Sequence, residues 1–210
     1  MVKQYAHEIC VNQGMDKSDI EIIRHVTSLA DRYHGKQVRK FTGERYIVHP
    51  VRVMEMVRAY NNDIRVLCAA LLHDVLEDTP VTEEEMTESL LAVFGRADAE
   101  KITGLVVDLT DIFIKSSFPR LNRRSRKNRE ATRLSQVSAD AQTIKYADLI
   151  DNVSDIVRQD AGFARTYIYE AKKMLEVMVG GHPELRERAM LVVEESLKVL
   201  MKGTVAGSKV

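Results

Sequence analysis

The sequence is poor in residues that mark several classes of protein. Its 210 residues include no tryptophan, four prolines and two cysteines. Two cysteines cannot build the disulfide framework of a small secreted domain. Cys68 lies in an apolar run, which predicts a small buried side chain and fits a reducing compartment.

Long apolar segments are also missing. No apolar run approaches the length that crosses a bilayer, and the N-terminus has no signal-peptide core. Together these absences predict a cytoplasmic protein with no membrane partner.

The chain has no net charge, because 31 Lys and Arg balance 31 Asp and Glu. Locally the balance fails: between Lys115 and Arg133, eight basic residues stand against one acid, Glu130. This segment is either a solvated helix face or a contact with an anionic partner. A solvated helix or a contact between copies of the chain is favoured over contact with a polyphosphate. Few aromatic residues are interleaved with the basic ones, so no nucleic-acid partner is expected.

Helical spacing of apolar residues is what the sequence has in abundance. Thr82 followed by Glu85 is a capping-box signature, and Ser138 suits the position just before another helix. The spacing predicts helices over 19–34, from Pro50, over 63–78, from Thr82 to near Gly95, and over 97–110, 139–158, 162–179 and 183–202. We therefore expect an all-α bundle of about eight or nine helices without strands, in one domain over 1–202 with a disordered tail at 203–210.

The predicted helix 63–78 ends in an unusual way. It is apolar almost all round, as expected of a helix inside a bundle, yet its last turns carry His73, Asp74, Glu77 and Asp78. Carboxylates at a helix C-terminus oppose the helix dipole by about 0.3–1 kcal/mol each. In one helix these four residues form two i,i+4 pairs and a continuous polar face. Either a cation lies there, or the helix end emerges into solvent.

Two further residues favour the cation. His49 stands directly before a helix start, and Asp148 lies among residues of the buried type. Each has an ordinary explanation, a hydrogen-bonded core histidine for His49 and an ion pair with Lys145 for Asp148. Together with His73 and Asp74 they would give a mixed nitrogen and oxygen ligand set that suits Mn²⁺, Fe²⁺, Co²⁺ or Zn²⁺.

These residues belong to three sequence motifs: His49-Pro50, the run Ala69-Ala70-Leu71-Leu72-His73-Asp74-Val75-Leu76-Glu77-Asp78-Thr79, and Lys145-Tyr146-Ala147-Asp148 with Asn152. The motifs resemble the hydrolase domain of the RelA/SpoT family, above all its small stand-alone alarmone hydrolases. In that group a His-Asp pair is followed by Glu-Asp-Thr, unlike most other His-Asp phosphohydrolases. The resemblance covers about residues 20–180, and the family fold, an HD-domain helical bundle, agrees with the helical pattern.

The resemblance implies a site and a reaction. One Mn²⁺ would be held by His49, His73, Asp74 and Asp148. Glu77 and Asp78 would position and deprotonate the attacking water. The reaction would remove the 3′-pyrophosphate from (p)ppGpp, leaving GDP or GTP plus pyrophosphate. A divalent ion suits this chemistry because it acidifies water and neutralises phosphoryl charge.

Four residues would bind the nucleotide: Arg39, Lys40, Lys145 and Asn152. Arg39-Lys40 match a basic pair that faces the nucleotide in the family, and Asn152 lies one helical turn beyond Asp148. The alternatives are a solvated loop for the basic pair and an i,i+3 partner of Asp148 for Lys145.

The pattern departs from the family near these positions. Leu149 stands where a basic residue is usual, and Val153-Ser154 follow Asn152 where Met-Arg is usual. These changes spare the metal set and leave the substrate open. An adenine alarmone or NADPH is the alternative substrate, and a nucleotide sensor without catalysis is the non-enzymatic alternative.

Overall fold

Helices dominate the computed structural model, which describes residues 15–157 and 161–206. Within these ranges nine helices have eight residues or more, and a tenth is a single turn. The helices are α1 (Lys17–His34), α2 (Val48–Arg58), α3 (Ile64–Leu72), α4 (Val75–Asp78), α5 (Glu83–Leu90), α6 (Arg96–Leu109), α7 (Arg123–Leu134), α8 (Ala139–Ile156), α9 (Ala161–Val177) and α10 (Pro183–Ala206). The predicted all-α class is confirmed. An isolated antiparallel bridge pairs Val38 with Arg45 in the loop after α1.

Polar side chains set the helix starts, as the sequence predicted. Thr82 and Glu85 form a complete capping box, with each side chain bonded to the other's main-chain N–H. Ser138 Oγ accepts a hydrogen bond from the main-chain N–H of Ala141, 3.2 Å away. Both groups satisfy donors that a helix N-terminus leaves without an intrahelical partner.

Several predicted helix boundaries were wrong. The helix expected over 63–78 is interrupted after Leu72 and resumes as the single turn α4. The helix expected to end near Gly95 ends at Leu90, and turns follow. The last helix continues to Ala206, beyond its predicted end at 202, whereas 158–160 and 207–210 lie outside the described residues.

The chain divides into two compact units, Met1–Thr110 and Asp111–Val210. In the first unit α3 is central and packs against α1, α2 and α6. Its side chains from Val66 to Leu72, including Cys68, are buried. The prediction that this segment lies inside a bundle is confirmed. The single domain expected over 1–202 stays a prediction.

In the second unit α8 packs against α9 and α10, and twelve of its eighteen residues are buried. Tyr146 donates a hydrogen bond to the main-chain oxygen of Met178 at 2.7 Å and accepts one from the N–H of Gly181. A Cβ at Gly181 would lie 2.5 Å from the Tyr146 ring. This close approach therefore requires glycine.

Among the described residues, no helix combines the length and the apolar character that crossing a membrane requires.

Candidate metal centre and active site

The interruption between α3 and α4 places His73 and Asp74. His73 directly follows the last residue of α3, and Asp74 directly precedes α4. The pair therefore sits at a bend between two helical segments. The predicted single helix through His73, Asp74, Glu77 and Asp78 was wrong, because α3 and α4 are separate segments.

His49 reaches the same place from the first turn of α2. Its main-chain N–H donates to the carbonyl of Tyr46 at 3.0 Å. Pro50 follows within the first turn, where its missing N–H has no intrahelical partner to lose. The His49 side chain is fully buried, so its imidazole lies inside the first unit.

Three side chains converge in a way that fits a metal ion. The His49 and His73 Nε2 atoms lie 3.4 and 3.2 Å from Asp74 Oδ2. Within the described residues, these three side chains form a group whose ligand atoms lie within 4.8 Å of one another. Two atoms that each bind one ion at about 2.1 Å are separated by about 3.0–3.4 Å. Two imidazoles and a carboxylate at these spacings fit a divalent transition metal.

The His73 ring has the orientation that metal binding requires. Its Nδ1 lies 2.9 Å from the main-chain oxygen of Ala70. A carbonyl accepts only, so Nδ1 carries a hydrogen, and Nε2 is the ring atom that faces Asp74 and would bind the ion. Histidine ligands of metals commonly donate their other N–H in this way.

Asp74 stays charged although most of its side chain is buried. Burial by itself would raise the pKa of this carboxyl group, but His73 and His49 hold it well below its usual range. Asp74 is therefore a carboxylate at neutral pH, the form that binds a cation.

Tyr46 joins this cluster to Asp78. Its hydroxyl oxygen lies 2.7 Å from Asp74 Oδ2 and 2.6 Å from Asp78 Oδ2. Burial, followed by the charge of Asp74, raises the pKa of the phenol, so it keeps its proton. A phenol has one hydrogen and donates it to one carboxylate at a time. Asp78 is thus linked to the His49–His73–Asp74 group through the Tyr46 hydroxyl. Asp78 and Glu77 are both exposed, and neither is among the converging ligand atoms.

Sequence reasoning missed Tyr46 and two residues behind it, His34 and Gln37. Gln37 donates from Nε2 to the main-chain oxygen of Asp78 at 2.7 Å, and its Oε1 lies 2.8 Å from His34 Nδ1. Two signals were available in the sequence. His34 and Gln37 flank Gly35 at the end of a helix, and Tyr46 is three residues before His49.

The basic pair Arg39-Lys40 lies in the loop between α1 and α2. Arg39 is buried, and its guanidinium lies over the Tyr46 ring, 6.0 Å from the centroid. Lys40 is exposed, and its Nζ lies 5.2 Å from the centroid of Phe41. Arg39 is therefore close to the cluster through Tyr46, and Lys40 lies at the surface.

The remaining predicted site residues lie on α8 in the second unit. Asp148 Oδ2 is 2.8 Å from Lys145 Nζ, and Asn152 donates to Asp148 Oδ1 at 2.5 Å. The three residues are one helical turn apart and form one polar cluster on α8. Asp148 and Lys145 also make the ion pair that was the ordinary explanation for both. The role of Asp148 as a metal ligand stays a prediction.

Comparison with known proteins identifies the family. A model of the HD domain matches residues 27–167, which is more than half of the chain. The chain belongs to the HD-domain family. The His73-Asp74 pair and the helical fold described above agree with that membership.

Two relatives of this HD-domain chain are named as guanosine-3′,5′-bis(diphosphate) 3′-pyrophosphohydrolases. A probable guanosine-3′,5′-bis(diphosphate) 3′-pyrophosphohydrolase of Mycoplasma pneumoniae is 34% identical over 145 residues, covering 65% of this chain and 19% of the relative. A guanosine-3′,5′-bis(diphosphate) 3′-pyrophosphohydrolase of Aquifex aeolicus is 41% identical over 85 residues, covering 40% of this chain and 12% of the relative. The chain thus spans a fifth or less of the length of these relatives.

One solved structure is similar to this chain over most of the length of both proteins. It belongs to a protein described as a metazoan ortholog of SpoT that hydrolyses ppGpp. The TM-score is 0.68 at 27% identity, and the match covers 89% of this chain and 97% of the other.

Several side chains of the basic segment 115–133 of the HD-domain chain form partly exposed ion pairs. Arg123 binds Glu170 through two hydrogen bonds of 2.8 Å, and Lys127 Nζ lies 2.6 Å from Asp111. Its one acid, Glu130, is buried and accepts hydrogen bonds from the main-chain N–H groups of Ile112 and Phe113. The basic side chains thus pair with acids outside the i,i+4 positions, and the role of this segment stays a prediction.

Proposed function

We propose that this HD-domain chain is a metal-dependent hydrolase that removes the 3′-pyrophosphate of (p)ppGpp. The observation that carries the proposal is the convergence of His49, His73 and Asp74 beside a second carboxylate, Asp78. Relatives named as 3′-pyrophosphohydrolases and a similar structure of a ppGpp-hydrolysing protein support the substrate.

The metal site of this proposal has four ligands. His49, His73 and Asp74 supply three of them, and Asp148 supplies the fourth. Their mixed nitrogen and oxygen donors suit Mn²⁺, with Fe²⁺, Co²⁺ or Zn²⁺ as competitors. When bound, the ion lowers the pKa of water and offsets charge on the phosphoryl oxygens.

Asp78 and Glu77 handle the attacking water. One carboxylate takes a proton from the water while the water oxygen forms a bond to the phosphorus atom attached to the ribose 3′ oxygen. The bond between phosphorus and the ribose 3′ oxygen breaks, and that oxygen receives a proton to become a hydroxyl. GDP or GTP and pyrophosphate leave. Asp78 is the better placed of the two acids, since it shares the Tyr46 hydroxyl with Asp74.

Arg39, Lys40, Lys145 and Asn152 bind the nucleotide in this proposal. Arg39 is held beside the Tyr46 ring, so its planar guanidinium can stack on a base or bind phosphate through two hydrogen bonds. Lys145 and Asn152 already bind the two oxygens of Asp148, and so they also fix the direction of that carboxylate.

A second candidate is hydrolysis of a different nucleotide, such as ppApp or NADPH. Leu149, which stands where a basic residue is usual in the resembling family, is buried and brings no charge to the surface of α8. The Ser154 hydroxyl donates to the carbonyl of Ile150 within its own helix, 2.7 Å away. Neither side chain supplies the positive charge that is usual at those positions in the resembling family, and this departure leaves the choice of nucleotide open.

One experiment separates these candidates. The protein, first stripped of metal with a chelator, is reloaded with Mn²⁺ and incubated separately with ppGpp, pppGpp, ppApp and NADPH. We expect GDP and pyrophosphate from ppGpp, and no product from the metal-free protein. Chromatography with phosphorus NMR identifies the products and shows which phosphate left.

The contrary outcomes are specific. Turnover of ppApp or NADPH alone would replace the substrate and keep the metal chemistry. Equal turnover with and without metal would contradict the metal site. No turnover of any of the four compounds would leave the sensor hypothesis as the better account.

A further inference from the structure

The loop between α1 and α2 binds the turn that carries Asp78 from two sides. We propose that Tyr46, Gln37 and His34 are positioning residues that hold the Asp78 carboxylate against the metal centre. This inference rests on the proposed function, because Asp78 is assigned there to the attacking water.

The first contact fixes the side chain of Asp78. This residue is exposed at the end of α4, where a carboxylate has several accessible rotamers. The Tyr46 hydroxyl lies 2.6 Å from its Oδ2 and 2.7 Å from Oδ2 of Asp74. One phenol therefore bridges the acid that would activate water and the acid that would bind the metal. The bridge sets the distance between the two carboxylates.

The second contact fixes the main chain of Asp78. Asp78 is the last residue of α4, and the last four carbonyls of an α-helix have no intrahelical partner. Gln37 Nε2 supplies a donor to the carbonyl of Asp78 at 2.7 Å. The Gln37 carbonyl in turn accepts the Tyr46 N–H at 3.0 Å, so both contacts come from one ordered loop.

His34 orients both of these residues. Its ring stacks on the Tyr46 ring, with centroids 4.4 Å apart and planes 26° apart. Its Nδ1–H donates to Gln37 Oε1 at 2.8 Å, which turns the amide so that Nε2 faces Asp78. Burial lowers the pKa of His34, which keeps the ring neutral. His34 is the last residue of α1 and is buried, so the whole set is anchored on a long helix.

Two substitutions test the set, and a third is a matched control. Gln37→Leu removes both hydrogen-bonding ends of the amide and touches no proposed metal ligand. Tyr46→Phe keeps the ring on His34 and removes the hydroxyl. Tyr33→Phe removes a hydroxyl that lies 2.8 Å from Ser89 Oγ, one residue before His34 and outside the site.

The expected effect falls on kcat. With ppGpp and Mn²⁺ both saturating, kcat should fall about tenfold for Gln37→Leu and up to about 100-fold for Tyr46→Phe, because small displacements of a reacting group cost rate. For Gln37→Leu, KM and the Kd for Mn²⁺ should stay within about twofold. The Tyr33→Phe control should keep kcat, KM and Kd within about twofold of the wild type.

A double-mutant cycle separates positioning from a structural role. If Gln37 acts through Asp78, Gln37→Leu should cause no further loss of kcat in an Asp78→Asn protein. Equal losses in the two backgrounds would overturn the proposal. Should leucine lower Tm more than the control does, Gln37→Glu replaces it. A carboxylate cannot donate to the Asp78 carbonyl, so the same fall in kcat is expected.

Failure of this inference differs from failure of the proposed function. A wild-type protein that turns over no alarmone overturns the proposed function and the assignment of Asp78 with it. A wild-type protein that turns over ppGpp, with Gln37→Leu and Tyr46→Phe behaving like Tyr33→Phe, overturns the positioning roles alone.

Discussion

Two segments concentrate charge of one sign: the acid turn, residues 73–78, and the basic helix α7. Their charged side chains are arranged differently. In the acid turn, Asp74 converges with two buried histidines and shares a phenol with Asp78. On α7, Arg123 forms an ion pair with Glu170 and Lys127 forms one with Asp111, and both pairs are partly exposed. The comparison teaches that charge density alone does not identify a site. Convergence of buried polar atoms does.

Removal of a converging carboxylate is the strongest test of this comparison. Asp74→Ala should abolish metal binding and lower turnover by more than about 100-fold. Loss of a residue that only hydrogen-bonds to a metal ligand costs up to about 100-fold, and here a proposed ligand itself is removed. Elemental analysis of the purified protein and a hydrolysis assay measure the two effects.

The matched variant on the basic helix is Lys127→Met, which also removes one charge that lies in an ion pair. Metal content and turnover should be unchanged. An increase in KM for ppGpp without a loss of metal would contradict the comparison and bring the basic helix into the substrate site.

The two acids of the turn should differ in effect from Asp74. Asp78→Asn should keep the metal and lower kcat by about 10²–10⁴-fold, the range for general acid–base groups. Glu77→Gln tests the second proposed acid in the same assay, with metal content as the control. Full activity of Glu77→Gln would remove Glu77 from the mechanism and leave Asp78 as the base.

Packing in the second unit should matter more to stability than its surface charge. Gly181→Ala would bring a methyl group to 2.5 Å from Tyr146 and 2.8 Å from the main-chain nitrogen of Thr143. We expect a loss of about 1–3 kcal/mol in the free energy of unfolding, as for overpacked cores. Thermal and urea unfolding followed by circular dichroism measure it.

Gly104→Ala is the control for that substitution, because a Cβ at this helical position meets nothing within 4 Å. It should stabilise the protein by about 0.5–1 kcal/mol. Equal effects of the two alanines would show that the close approach at Gly181 does not matter.

The smallest effect is expected from the ion pair between Arg123 and Glu170. Arg123 is about half exposed, with 46% of its side chain accessible. Arg123→Met should change the free energy of unfolding by less than about 1 kcal/mol, as is usual for exposed pairs. The difference from the wild type should shrink further in 1 M salt, where exposed charges are screened within about 3 Å. A larger loss would mean that α7 depends on its charges.

Much of the metal cluster could be predicted from the sequence, because its signal is local. The acids at the end of an apolar segment pointed to His73 and Asp74, and the Thr82 capping box was readable from two residues. The prediction that α3 runs to residue 78 failed because no proline or glycine marks the interruption. The bend is accompanied instead by contacts such as that of Tyr46 with Asp74.

The supports of Asp78 could not be predicted for a related reason. Tyr46 and Asp78 are 32 residues apart in the chain, and Gln37 and Asp78 are 41 apart. Periodicity and capping rules report on neighbours within a few residues. Contacts of this length appear only once α1, α3 and the loop between α1 and α2 are placed in three dimensions.

The close fit of Tyr146 against Gly181 also sets the rotational register of α8. Each residue turns an α-helix by about 100°, so Asp148 points about 200° away from Tyr146, while Lys145 and Asn152 point within about 60° of Asp148. Locking Tyr146 to the loop at 178–181 therefore fixes the direction in which the whole polar face points. A substitution in that loop would rotate α8 about its own axis and so change the direction of the Asp148 side chain, although the substituted residue does not contact Asp148.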